Sequence, residues 1–189
     1  MTDIDKKNQY QKLISFLVAL CLFFATIENA IPKPLPFLRL GLANLPVIFS
    51  LFLLRKRDVF FLVLFKVVLQ GIISGTIFSY IFLFSGVSSF SSALAMQILF
   101  LITKGDNSTN ERKFLKISAI GLSLIGSLAS TFSQLFLAKF FLFGENTKYI
   151  VPILLVSGLI TGLFLGIFSE IFIQKSKWFE TVRGIRYEL

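Results

Sequence analysis

The side chains in this sequence able to engage a polar ligand are few, and they sit inside or beside apolar runs. They are Glu28, Arg39 and Asn44 around a proline-rich stretch, Lys66 and Gln70 four residues apart, and Gln134. One carboxylate, two cations and three carboxamides can hold a small molecule through charge and hydrogen bonds. They do not compose a catalytic or metal centre. Histidine is missing and Cys21 is the single cysteine, which sets aside a His-based catalytic site, a transition-metal site and an intramolecular disulfide. The sequence has no Asp-Asp-x-x-Asp cluster for metal-diphosphate chemistry and no Gly-x-x-x-x-Gly-Lys-Ser/Thr loop for nucleotides. The chain therefore reads as a non-enzyme without a cofactor, and ATP-driven work would fall to another subunit.

The stretch from Glu28 to Asn44 is the most informative. Pro32, Pro34 and Pro36 impose an extended path, while Glu28, Arg39 and Asn44 place polar groups where the chain turns back into an apolar run. Non-helical backbone at membrane depth is tolerated only where protein or a water-filled cavity covers it. The segment is read as a ligand-facing lid or pocket wall. The alternative is an external loop in which Glu28 and Arg39 merely pair.

Lys66 lies eight residues beyond Asp58, about 12 Å along a helix, and Gln70 and Ser74 follow on the same face. A polar stripe at that depth must look into a bundle or a cavity, unless the lysine snorkels back toward the interface. Ser123, Ser127, Ser130, Thr131 and Gln134 form a second stripe, most of it suited to helix contact; Gln134 differs because its amide needs several partners in a dry interior. Gly71 with Gly75, and Gly158 with Gly162 and Gly166, read as close-packing positions, Ser15 with Ala19 as a weaker small-residue pair, and Glu170 as pairing with a nearby lysine or reaching water.

These residues must be positioned by membrane helices. The chain is 55% hydrophobic with 24 phenylalanines, a mean hydropathy of +0.81 and runs of about 20 residues without a polar face, so water is not its main solvent. The reading is an all-α integral membrane protein, a six-transmembrane-helix bundle, with apolar runs over residues 13–30, 36–54, 59–84, 88–103, 114–143 and 149–173. The second run should turn helical near Asn44, and the third should span with tilt or break near Gly71 and Gly75. No Ala-x-Ala pattern closes the first run, which is read as a permanent helix rather than a cleaved leader.

Lys and Arg alternate between the connections. With the N-terminus inside, fourteen fall on the cytoplasmic side and Lys33, Arg39 and Lys148 outside, with Lys66 and Lys139 in apolar runs. Both termini are thus expected in the cytoplasm, with a cytoplasmic segment over 1–12, a transmembrane domain over 13–173 and a cytoplasmic tail over 174–189 that carries Trp178 as an interfacial anchor. The net charge of +9 suits an anionic lipid leaflet rather than nucleic acid, and the location expected is the plasma membrane.

The order Glu28-x-x-Ile31-Pro32, then Leu40-Gly41-Leu42-Ala43-Asn44, then a basic residue in the third helix resembles the membrane family labelled heptaprenyl diphosphate synthase component I, also called the Gx transporter family. The resemblance runs from Glu28 to about Ile173 and includes Gln134 and the glycine-rich last helix. Lys66 stands where the family usually has Arg, and Ser130-Thr131 where it often has His-Asn. The family's pattern is similar to that of the S components of energy-coupling-factor importers. That implies a small-molecule substrate of vitamin type, bound with help from the loop after the first helix, and partnership with a transmembrane coupling subunit and two ATPases. The family label implies an alternative, a non-catalytic membrane partner in polyprenyl diphosphate synthesis or isoprenoid handling.

Overall fold

The structure, a computed structural model, describes residues 3–31, 41–105, 118–179 and 182. Six α-helices carry it: α1 (Asp3–Ala30), α2 (Leu45–Leu53), α3 (Lys56–Ile73), α4 (Tyr80–Gly105), α5 (Ala119–Ala138) and α6 (Val151–Lys175), and there is no strand among the described residues. Asn8–Ala30, Tyr80–Ile102, Ala119–Tyr149 and Val151–Lys175 are long and apolar enough to cross a membrane. Outward-facing rings such as Phe16, Phe23, Phe65, Phe136 and Phe164 are more than half exposed, an unfavourable surface in water and a suitable one in lipid.

Helices α2 and α3 have different burdens. All nine residues of α2 are buried, so it is hydrophobic all round, and at about 14 Å it is too short to cross a bilayer of about 30 Å. Pro46 sits in its first turn, where a missing N–H costs nothing. Helix α3 has the length, 18 residues, but carries Lys56, Arg57, Asp58 and Lys66.

Tyr10 fixes the start of α3 against α1. Its Oη donates to Asp58 Oδ2 at 2.5 Å and accepts from the Arg55 N–H at 3.0 Å. At the other end Asn29 Nδ2 donates to Ser74 Oγ at 2.8 Å. Arg55 with Tyr10 and Ser74 with Asn29 are each 45 residues apart, so α1 and α3 run parallel with one constant offset.

The break after α3 falls near Gly71 and Gly75, and its cause is local. The Thr76 N–H reaches the Gly71 carbonyl at 3.0 Å and the Gly75 N–H that of Ile72 at 3.1 Å, with Gly75 at φ +64°. This is a Schellman motif, which needs a residue at ease in the left-handed region. The next helix then begins at Tyr80, not at residue 88, and Ser85, Ser88, Ser89 and Ser92 lie buried inside α4. Hydroxyls such as Ser88 Oγ donate to a carbonyl three residues back, so the helix tolerates them in a dry interior.

Helices α4, α5 and α6 pack side by side in antiparallel order. A Cβ on Gly158 would collide with Thr131 Oγ1, one on Gly162 with Ser127 Oγ, and one on Gly166 would come within 2.7 Å of the Ile120 Cα. Three glycines of α6 thus face the hydroxyl stripe of α5, and Ser123 Oγ donates across the seam to the Gly162 carbonyl at 2.7 Å.

Glu170 corrects a sequence expectation. Its Oε2 accepts from the Ala119 N–H at 2.6 Å and from Ser118 Oγ at 3.3 Å, and its Oε1 accepts from Gln174 Nε2 at 2.8 Å. It caps the N-terminus of α5, where unpaired N–H groups and the helix dipole favour an anion, instead of pairing with a lysine. Past Ala138, α5 loosens into a π-helical turn (Lys139–Phe143) and a 3-10 turn (Gly144–Tyr149), with an exposed Lys139–Glu145 pair at 3.8 Å. Trp178 is part-exposed with its ring centroid 5.7 Å from that of Phe16.

Candidate functional site

Lys66 is 2% exposed, and its Nζ donates to Asn44 Oδ1 at 2.8 Å. A snorkelling lysine would show neither feature. The 45-residue offset sets Lys66 level with Cys21, close to the middle of the Asn8–Ala30 span. Asn44 closes the 3-10 turn Leu42–Asn44 just before α2, near the centre of the bundle. Gly41, at φ +84°, opens that turn, and its carbonyl accepts from the Asn44 N–H at 2.8 Å.

From Asn44 the polar contacts continue to α4, where its Nδ2 donates to Ser92 Oγ at 3.2 Å. Beyond Ser92 lies a cavity of about 10 Å³, measured as space open to the centre of a water molecule, so it has room for about one water. Its wall includes Asn44, Ser92, Ser123, Ser130, Thr131 and Thr161, with Ile48, Met96 and Leu165 as the apolar part. Gln134, 1% exposed, joins this region through Ser130, to whose Oγ its Nε2 donates at 3.1 Å.

Gln70 is one turn beyond Lys66 on α3, level with Ala25, and 3% exposed. Neither its Nε2 nor its Oε1 has a hydrogen-bond partner among the described residues. Leaving such a group dry and unpaired costs about 1–3 kcal/mol, which makes the position conspicuous. Glu28, 2% exposed, lies on the buried stripe of α1 with Leu17, Cys21 and Ala25, close to the level of Ile73.

The structure thus joins Asn44 to Lys66, sets Gln70 one turn above them, and connects Gln134 to the cavity that Asn44 lines. Glu28 is buried near the C-terminal end of α1, in the same interior, and Arg39 lies outside the described residues. Sequence reasoning missed Ser92, Tyr10 and the capping role of Glu170. The four buried serines of α4 at positions 85, 88, 89 and 92 share one helical face, and that spacing was the signal available for Ser92.

Buried ionisable and amide groups inside apolar helices define an all-helical membrane protein with a polar interior. The family model described as heptaprenyl diphosphate synthase component I matches residues 17–172, and the chain belongs to that family. No curated protein and no solved structure matches it.

Proposed function

We propose that this chain is the substrate-binding membrane subunit of a small-molecule importer, energised by a separate coupling subunit and two ATPases. The observation that carries the reading is the Lys66–Asn44–Ser92 chain of contacts at mid-depth, with the unpaired amide of Gln70 beside it. Buried charge and amides in an apolar bundle are costly and are retained where they meet a ligand or an ion path. Glu28, Arg39, Asn44, Lys66, Gln70 and Gln134 are the residues assigned to the substrate. Both termini face the cytoplasm of a plasma-membrane protein, so the Tyr10–Asp58 end of the bundle faces inward and the Asn29–Ser74 end outward. Room for one water is far below the roughly 300 Å³ of a small-molecule pocket, so binding requires the helices around Asn44 to part.

Reconstitution tests the reading. The purified chain in liposomes should bind its ligand, seen by native mass spectrometry after gentle purification, yet accumulate it only when partner subunits and ATP are added. ATP-driven uptake by the chain alone would end the proposal.

The family description favours a second reading, a non-catalytic membrane component that accompanies a prenyl diphosphate synthase. The sequence lacks the Asp-rich cluster of metal-diphosphate chemistry, which leaves the chemistry to a partner. Copurification separates the two: ATPase and coupling subunits support the importer, a soluble prenyltransferase the accessory role.

A further inference from the structure

Apart from the cavity beside Ser92, a cavity lies where the end of α2, the start of α3 and the last turns of α4 meet. It has about 30 Å³ of space open to the centre of a water molecule. Leu51, Leu54, Val59, Phe100 and Leu101 form its apolar wall, and Lys56 and Gln97 complete it. A cavity with such a wall stays dry and suits hydrocarbon. Leu54 and Val59 are buried whereas Lys56 is exposed, so the cation stands at the rim and the aliphatic side chains lie beneath it.

Helix α4 fixes the depth of that rim. Gln97 Nε2 donates to the Lys56 carbonyl at 3.4 Å, which sets Lys56 level with Gln97, while the apolar span of α4 continues to Ile102. Those further residues add about 7 Å of helix, close to the thickness of one headgroup layer. Lys56 makes no ion pair among the described residues, and Arg55 and Arg57 on either side of it are exposed as well. Asp58, the acid of the same turn, is two residues on and hence across the helix, where Tyr10 of α1 donates to it. Deeper in the bundle, Phe60 on the Lys56 face of α3 and Leu94 on the Leu101 face of α4 are about half exposed, so apolar surface runs on along both helices.

We propose that this groove binds one anionic phospholipid, its phosphate on Lys56 and part of one acyl chain against Leu54, Val59 and Leu101. Charge chooses the headgroup, because three consecutive cations whose neighbouring acid is engaged elsewhere attract a net anion over a zwitterion. The apolar wall chooses an amphiphile over a free phosphate, which would leave it uncovered. The site stands apart from the residues assigned to the substrate, and it holds for an importer and for an accessory component alike.

The test is native mass spectrometry of the full chain in a mild detergent, titrated with phosphatidylglycerol, phosphatidylcholine, inorganic phosphate and undecaprenyl phosphate. One phosphatidylglycerol should stay bound under conditions that strip phosphatidylcholine, and inorganic phosphate should not displace it. Lys56→Gln should weaken phosphatidylglycerol about fivefold. Lys175→Gln, an equal loss of charge at the exposed end of α6, should leave it unchanged. Leu101→Phe alters no charge and should weaken binding by filling the cavity. Equal losses in the two lysine variants would mean diffuse attraction to a basic surface and overturn the inference. So would phosphatidylcholine held as firmly as phosphatidylglycerol, displacement by inorganic phosphate, or undecaprenyl phosphate held more firmly than either phospholipid. Both lysines are exposed and can be exchanged without disturbing the fold, so their comparison gives an answer even where Leu101→Phe does not fold.

Discussion

Lys66 on α3 donates to the side chain of Asn44 at the head of α2, 2.8 Å away and near mid-depth of the bundle. A single contact thereby ties the turn Leu42–Asn44 to the buried cation of the described interior.

That contact should show as coupling. Asn44→Leu removes an acceptor from Lys66 and a donor from Ser92, and is expected to cost about 1–3 kcal/mol. With Lys66→Met added, the loss should be smaller than the sum of the single losses by at least about 0.5 kcal/mol. Chemical or thermal unfolding of the four proteins in one detergent measures it, and strict additivity would refute the contact.

The cap on α5 makes a second expectation. Glu170→Ala strips the Ala119 N–H and Ser118 of their acceptor and should destabilise by about 1–2 kcal/mol, whereas Glu170→Gln keeps an acceptor oxygen and should lose less. Hydrogen exchange at Ala119 and Ile120 should quicken in the alanine variant. Unchanged exchange there would show that the cap contributes nothing.

The α5–α6 seam can be tested by the kind of atom each glycine meets. Gly158→Ala collides with a hydroxyl, Thr131 Oγ1, so adding Thr131→Ala should recover most of the lost stability. Gly166→Ala collides with the backbone of Ile120, and truncating side chains should not rescue its overpacking loss of about 1–3 kcal/mol. Gly121→Ala meets nothing within 4 Å and should be neutral or stabilising by up to about 1 kcal/mol. Equal effects at all three positions would contradict this packing.

Orientation is open to labelling. In a Cys21→Ser background, cysteines at Thr76 and Lys148 should react with an impermeant reagent in intact cells, and cysteines at Lys56 and Gln174 only after lysis. Labelling of position 174 from outside would invert the proposed topology.

The sequence by itself determined the solvent and the local punctuation. Runs of apolar residues without a polar face demand lipid or a buried core, and Gly75, placed where a left-handed residue must end α3, marks the break through backbone sterics alone. Lys66, Gln70 and Gln134 stood out for the same reason, since polar groups inside such runs have few places to go. Which partner each one finds was not legible. A helical repeat says which face a residue occupies but not what stands opposite, and the separation of 22 positions between Asn44 and Lys66 carries no periodic signal of their contact. Glu170 shows the limit clearly, because the shortest of its contacts is with a backbone N–H, a group every residue but proline has, so no side-chain pattern could announce that partner. Only the antiparallel register of α5 and α6, set by glycines lying against hydroxyls, brings that carboxylate to the start of α5.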